Sequence, residues 1–243
     1  MLFRSPVATL LFAMVSPFAL DTSQFDMRAA LLFGAAGLFF PAVVTILTFR
    51  SNAQLGPTVT GAVSGTAPLF ALLAAAPLLG ERVPAEATVS AFGVVIGVAL
   101  LSWKRGATRN ALPGWPLLWP MAGAVVRGLA MVGGKAGLLI WPNPFAASLI
   151  GYVMSSATVL GADRLRGSPS RQLTKSGVAW FAVTGILNGS AVLMMYAALT
   201  AAPVWTVAPI VAAYPLVTAI LGAAFLHDEK LSLPSAAGAM STV

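Results

Sequence analysis

The sequence contains no cysteine, has a single histidine, and carries few charges for its length. Of its 243 residues, 9% are charged and 58% are hydrophobic. The lack of Cys excludes disulfides, thiolate catalysis and Cys-ligated metals, and any His-based catalytic or metal site would have only His227. A soluble chain of this length needs far more charged surface to stay dispersed. The composition therefore predicts an integral membrane protein, and no cofactor or metal is expected.

The apolar residues are gathered into eight runs that approach or reach the roughly 20 residues a helix needs to cross a bilayer. These runs do not alternate with a period of two residues, which favours helices over barrel strands. Trp103, Trp141 and Trp205 fall at run ends, where interfacial aromatic residues belong. We predict an all-α, polytopic membrane protein of about eight transmembrane helices, at residues 5–20, 28–49, 56–79, 86–103, 114–140, 143–162, 176–201 and 204–226.

The net charge of +7 could indicate a nucleic-acid partner, but no basic cluster alternates with aromatic residues. We therefore expect no nucleic-acid partner. If the eight runs alternate across the membrane, the side holding the N-terminus collects ten Lys and Arg residues and the other side collects two, Arg28 and Arg82. The positive-inside rule then places the N-terminus in the cytoplasm.

Small residues recur at a spacing typical of close helix packing. Gly pairs separated by four positions occur in four of the predicted helices, and such pairs let helix backbones approach in lipid. They predict a tightly packed bundle, with contacts at Gly61/Gly65, Gly93/Gly97, Gly133/Gly137 and Gly185/Gly189.

Two stretches share a layout that indicates an internal repeat. "GPTVTGAVSGTAPLFALLAAAPLLGE" begins at Gly56, and "PVWTVAPIVAAYPLVTAILGAAFLHDE" begins at Pro203. Their alignment places Pro68 on Pro215 and, after one inserted residue, Glu81 on Glu229. Each stretch is an apolar helix with a mid-span Pro and an acidic residue at its end, and such related halves are common in transporters.

This layout, together with "LLGERVPAEATVSAFGVVIGVALL" after the first Pro, resembles the EamA family of the drug/metabolite transporter (DMT) superfamily. The resemblance covers roughly residues 1 to 240. It implies two inverted halves of five helices each around a central substrate cavity, here residues 1–110 and 111–243. Matched to that pattern, the chain lacks the usual first helix and most of the last. A chain that starts at the second helix would begin outside the cell, so the resemblance and the charge count give opposite orientations.

Arg127 and Lys135 interrupt the apolar run from Gly114 to Trp141. Arg127 lies about 20 Å from either end of the run, so its side chain cannot easily reach the interface and should face the bundle interior or a wet cavity. We expect Arg127 to bind the substrate or to gate its passage there. The alternatives are a structural role as a partner for backbone carbonyls and a misplaced span boundary. Lys135 is nearer the helix end, where snorkelling to the headgroups competes with a place beside Arg127 in the cavity as a second substrate-binding residue.

Every Asp and Glu falls in a loop or, like Glu86, at the end of a predicted span, so the sequence offers no carboxylate for a mid-membrane proton relay. A positive cavity without carboxylates should favour anionic or zwitterionic solutes. Asn188, Tyr196 and Tyr214 are polar groups in spans that could orient such a solute by hydrogen bonds, although interhelical bonding is their alternative. Pro68 and Pro215 would kink their helices and act as hinges.

Taken together, these features predict a multi-pass permease that exports or imports a small polar or anionic metabolite, such as an amino acid. It is expected in the cell (inner) membrane, with the lipid bilayer and a small-molecule solute as partners and a homodimer as one way to cover exposed helix surfaces. A truncated, non-transporting fragment or assembly subunit is the alternative. An intramembrane enzyme is a weaker one, because "GAVSG" has Ala62 where a GxSG motif needs Gly and His227 lies at a span end.

Overall fold

The computed structural model describes residues 4–103, 115–165 and 175–213, and the regular structure in these ranges is helical. A π-helical turn at Leu38–Val43 joins the second and third helices, and a short 3-10 turn at Trp115–Leu117 precedes the sixth. The α-helices are α1 (Arg4–Ala19), α2 (Met27–Gly37), α3 (Val44–Ser64), α4 (Ala67–Leu79), α5 (Ala85–Trp103), α6 (Leu118–Ile140), α7 (Pro144–Leu165), α8 (Lys175–Ala201) and α9 (Val204–Ala212).

Four helical stretches in the described residues are long and apolar enough to cross a membrane: Met27–Gly56, Trp115–Ile140, Pro144–Gly161 and Ala182–Ala201. Two shorter apolar helices, Ser5–Ala19 and Ala67–Leu79, accompany them. These stretches support the prediction of an all-helical integral membrane protein. The count of eight transmembrane helices and the inverted repeat stay predictions.

The predicted spans 28–49 and 56–79 need correction. The first is bent at Phe40, which has the extended dihedral angles φ −126° and ψ 126°. Helix α3 is bent again at Gly56, whose φ of +78° is open to glycine but strained for other residues. The Ser51 and Thr60 hydroxyls, both buried, form a 2.6 Å hydrogen bond across this second bend.

The span 56–79 is not one helix, because the chain turns at Gly65 and Thr66 before α4 begins. The mid-span position predicted for Pro68 is therefore wrong. Pro68 is the second residue of α4, where the missing N–H of proline removes no intrahelical hydrogen bond. The break falls directly after Ser64, at Gly65 and Thr66, and these residues carry no charge and therefore do not divide the apolar run.

The first of two compact units comprises Met1–Val43 and Gly133–Ala202. In it α7 packs against α1, α2 and α8. The closest approach is between α2 and α7, since a Cβ atom added to Gly37 would overlap the backbone of Gly151. Between α1 and α7, the Thr9 hydroxyl lies 2.7 Å from that of Ser156 and 2.8 Å from the carbonyl oxygen of Tyr152. Small residues and buried hydroxyl groups therefore hold this unit together.

The second unit comprises Val44–Val132 and Pro203–Val243, and in it α9 packs against α4 and α5. Both carboxylate oxygens of Glu81, after α4, accept the backbone N–H of Val204 at 3.0 Å. The N-cap residue of α9 is a proline without a side-chain acceptor, so Glu81 supplies the cap from a distant part of the sequence. Each unit thus combines segments from both predicted halves, 1–110 and 111–243, and the division into those halves stays a prediction.

The Gly pairs contribute unevenly to packing. Gly137 lies against the Phe33 ring, and Gly189 lies against Phe12 and Ala8, which confirms close packing at these two positions. Among the described residues, a Cβ atom added to Gly61 or Gly133 would meet nothing within 4 Å, so the prediction is wrong for these two. Spacing alone did not single out Gly37, where the tightest approach occurs.

Candidate functional site

Arg127 is the tenth residue of α6 and lies in the second unit. Nine residues separate it from the start of α6, so its Cα is about 14 Å along the axis from that end. Its side chain is half-buried and has an interaction partner within the protein. A cation this deep in a membrane helix is rare and costs at least a few kcal/mol unless it faces a polar or wet interior.

Arg127 lies on the wall of a pocket in the second unit, formed by α4, α6, α9 and the last residue of α3. The pocket has a volume of about 20 Å³, room for about one water molecule. Among the described wall residues Arg127 carries the only charge. The wall consists of Ser64, Ala67, Pro68, Ala71, Arg127, Gly128, Met131, Ala208, Val211 and Ala212.

Small residues shape this pocket. Gly128 follows Arg127 in α6, and a Cβ atom added there would come within 2.8 Å of the Ala71 backbone nitrogen in α4. Ala208 and Ala212 are one helical turn apart on α9 and are both buried, so they face the pocket from the same side of that helix. These positions let the helix backbones come close together around the pocket and add no polar side chain to its wall.

Lys135 lies in the first unit, and snorkelling to the headgroups is the wrong interpretation. Its side chain is only 8% exposed, and its Nζ donates hydrogen bonds to the carbonyl oxygens of Leu199 at 2.6 Å and Ala202 at 3.0 Å. These carbonyls belong to the C-terminal end of α8, which lacks intrahelical donors and carries a partial negative charge. The ammonium group therefore caps α8, while its predicted contact with a solute stays a prediction.

The other described candidates for solute binding, Asn188 and Tyr196, also lie in the first unit. Asn188 accepts a 2.8 Å hydrogen bond from the Tyr152 hydroxyl, which joins α8 to α7. Tyr196 is buried, and a Cβ atom added to Gly134 would lie 2.5 Å from its ring, so it packs directly on α6. Neither residue lines the Arg127 pocket. Tyr214 and Pro215 lie outside the described residues.

Of the predicted site residues, Arg127 and Pro68 line this pocket. Gly128, Ala208 and Ala212 are not predicted from the sequence, because small residues in a membrane helix are equally typical of packing and of pocket walls. The capping role of Glu81 is not predicted from the sequence either. Within the described ranges, no three His, Asp or Glu side chains are grouped so as to hold a metal ion.

The helical fold, with four stretches apolar enough to cross a membrane, is that of an integral membrane protein, and Arg127 lies on a pocket wall in its second unit. The family model for the EamA-like transporter family matches residues 114–243, which is 130 of the 243 residues. The chain belongs to this family, and the resemblance drawn from the repeat is confirmed.

Comparison with solved structures supports the fold. A crystal structure, described only as that of a protein, superposes with a TM-score of 0.78 over 99% of this chain and 83% of that chain. Its sequence identity is 17%, so the likeness shows the fold and does not indicate a substrate. No curated protein matches the sequence.

Proposed function

We propose that the protein is a DMT-type permease that carries a small polar or anionic metabolite, such as an amino acid, across the cell (inner) membrane. The observation that carries the proposal is the position of Arg127, half-buried on the wall of a pocket whose other described residues are uncharged. Membership of a transporter family supplies the general activity. The class of solute is inferred from the chemistry of that wall.

An arginine selects its ligands by charge and by geometry. The guanidinium group is always protonated and presents a planar set of donors that matches a carboxylate or phosphate. In a low-dielectric pocket its attraction for an anion is much stronger than in water, and its repulsion of a cation is equally increased. A zwitterionic or anionic solute therefore fits this pocket better than a lipophilic cation.

The pocket in this conformation is too small for such a solute, because about 20 Å³ holds about one water molecule. Loading an amino acid therefore requires α4 or α9 to move away from α6. Pro68 lies on the wall at the start of α4, where the chain has just turned at Gly65 and Thr66. We infer that this turn and its proposed counterpart at Pro215 are the hinges, with the halves 1–110 and 111–243 as inverted copies.

The positions of the carboxylates indicate how transport is driven. In the described helices and loops, Asp21, Asp26 and Glu81 lie in loops, Glu86 lies in the first turn of α5, and Asp163 lies in the last turn of α7. A proton relay at mid-membrane depth would need a titratable group in the pocket, and the described wall has none apart from Arg127. Solute exchange or facilitated diffusion is therefore the proposed mode.

Uptake into proteoliposomes tests the proposal. The purified protein should take up amino acids or organic anions and should not take up quaternary amines. Arg127→Gln keeps the size and polarity of the side chain but removes its charge, and we expect it to reduce uptake of the accepted anion at least tenfold. Arg164→Gln, at the exposed end of α7, is the matched control and should transport normally.

Two results would contradict the proposal. Uptake of none of the solutes, from protein that is folded by circular dichroism, would favour a non-transporting assembly subunit. Equal uptake of anions by Arg127→Gln and the wild type would remove Arg127 from solute binding. Uptake that rises with the square of the protein density would indicate that the proposed homodimer is the active form.

A further inference from the structure

A second cavity lies in the first unit, at the end where α1 finishes and α7 begins. Its volume is about 530 Å³, far larger than that of the Arg127 pocket. Three polar side chains line it, those of Asp21, Gln24 and Asn143, beside the apolar Phe145 and Leu193. It has no role in the proposed transport site.

An apolar groove adjoins this cavity. The groove has a volume of about 230 Å³ and also has Phe145 and Leu193 on its wall, so the two spaces meet at these residues. It follows α1 and α8, whose helices touch where Gly189 packs against Phe12. Its remaining described wall is almost entirely apolar: Ala8, Leu11, Phe12, Val15, Gly185, Ile186, Gly189 and Ser190.

The polar end of this combined space is negatively charged. The backbone N–H of Ser23 donates to Asp21 Oδ1 at 2.8 Å and, together with the Ser23 side chain, lowers the pKa of Asp21. The carboxylate is exposed and ionised at neutral pH. Among the described residues, neither cavity has a Lys or Arg on its wall. A ligand at this end is therefore selected for positive charge.

The loop that carries Asp21 is fixed in place. Asn143 Nδ2 donates a 2.9 Å hydrogen bond to the Asp21 carbonyl oxygen, while Asn143 Oδ1 accepts the Ala146 N–H at the start of α7. Next to the loop, the Phe25 and Trp141 rings meet edge to face with centroids 5.4 Å apart. Trp residues at helix ends are typical of the headgroup level of a bilayer, so Trp141 indicates that the polar end lies at headgroup depth.

We propose that this space binds a bilayer phospholipid with a primary-ammonium headgroup, of the phosphatidylethanolamine type. The headgroup lies beside Asp21, Gln24 and Asn143, and an acyl chain lies in the groove between α1 and α8. A primary ammonium group has three N–H donors for the carboxylate and amide oxygens, whereas a quaternary ammonium group has none. The groove favours a lipid over a soluble amine, because a soluble amine has no acyl chain to cover the apolar wall of the groove.

Native mass spectrometry of the purified full chain, titrated with defined phospholipids, tests the proposal. We expect phosphatidylethanolamine to bind at least fivefold more tightly than phosphatidylcholine, and phosphatidylglycerol to bind more weakly than both. Asp21→Asn keeps the side-chain shape and should bring phosphatidylethanolamine to the phosphatidylcholine level. Glu86→Gln, which removes an exposed carboxylate in the first turn of α5, should leave the preference unchanged.

A second variant tests the groove. Ser190 is exposed on the groove wall, so Ser190→Phe can fill the groove without disturbing the core, and we expect it to weaken all three lipids. Equal binding of the three lipids by the wild type would overturn the proposal, as would a preference that survives Asp21→Asn. Competition by free ethanolamine at the same concentration as the lipid would show a soluble amine site instead, and would also overturn it.

Discussion

Lys135→Met removes an ammonium group from the C-terminal end of α8 and leaves two carbonyl oxygens without their donor. The Lys135 Nζ contacts the oxygens of Leu199 and Ala202 at 2.6 and 3.0 Å, from a side chain that is 8% exposed. Met has a similar length and no charge, so it fills the space without replacing either hydrogen bond. We expect the variant to be less stable and the end of α8 to fray.

The size of the effect follows from these two bonds. A hydrogen bond to a charged group contributes about 1.5–3 kcal/mol in soluble proteins. Interhelical hydrogen bonds in membranes contribute about 0.6 kcal/mol on average, with a maximum of about 1.7. Removing the ammonium also removes the penalty of burying it, so the net loss lies toward the lower end. We expect a loss of about 2 kcal/mol for the pair, a roughly 30-fold change in the unfolding equilibrium.

Unfolding in mixed detergent and SDS micelles, followed by far-ultraviolet circular dichroism, measures this difference. Arg164→Met is the control, because it removes a cation from the exposed last turn of α7 in the same unit. If Lys135→Met is as stable as this control, the capping role is refuted. If Lys135→Met has unchanged stability but has lost uptake, Lys135 binds the solute, as predicted from the sequence.

Two further predictions concern packing and capping. Gly37→Ala should destabilise the first unit by about 1–3 kcal/mol, because the added Cβ would overlap the Gly151 backbone. Gly34→Ala is the control and should leave the stability nearly unchanged, because its Cβ would meet Met154 at an ordinary 3.5 Å. Thermal unfolding of both variants measures the difference. Equal melting temperatures would show that α2 and α7 are not packed at Gly37. Glu81→Ala should speed hydrogen exchange of the Val204 amide at least tenfold, because it removes the acceptor of that N–H. Glu81→Gln keeps an acceptor and should have a smaller effect. Equal exchange rates in the wild type and both variants would contradict the capping role of Glu81.

The sequence predicts the helices well where an apolar run ends in polar or flexible residues. The predicted spans 5–20, 86–103 and 176–201 agree with α1, α5 and α8 to within one residue at each end. The run 56–79 fails because its interruptions are made by Gly56 and by Gly65 and Thr66, which fit inside an apolar run. A break without charged or strongly polar residues does not change the hydropathy.

The candidate site is only partly readable from the sequence. A charge in an apolar run draws attention to Arg127 and Lys135 alike, but their surroundings depend on residues far away in the chain. The partners of Lys135 are carbonyl oxygens 64 and 67 positions later. Every residue has a backbone carbonyl, so residue types do not indicate which carbonyl accepts a distant hydrogen bond. The spacing along α6 therefore cannot distinguish a lysine that caps a helix from an arginine that lines a pocket.

Thiol labelling tests the electropositive pocket most directly, because the chain has no native Cys. Val211→Cys places a thiol on the pocket wall, and Ile210→Cys places one on the exposed neighbouring position of α9. The measured quantity is the ratio of the labelling rates with an anionic and a cationic thiosulfonate reagent of similar size.

We expect the ratio of anionic to cationic labelling rates at position 211 to be well above the ratio at position 210. Arg127→Gln should lower the ratio at position 211 about tenfold, which corresponds to about 1.4 kcal/mol of electrostatic preference. The ratio at position 210 should not respond to Arg127→Gln. A ratio at position 211 that is the same with and without the arginine would contradict the account, as would a thiol there that neither reagent reaches.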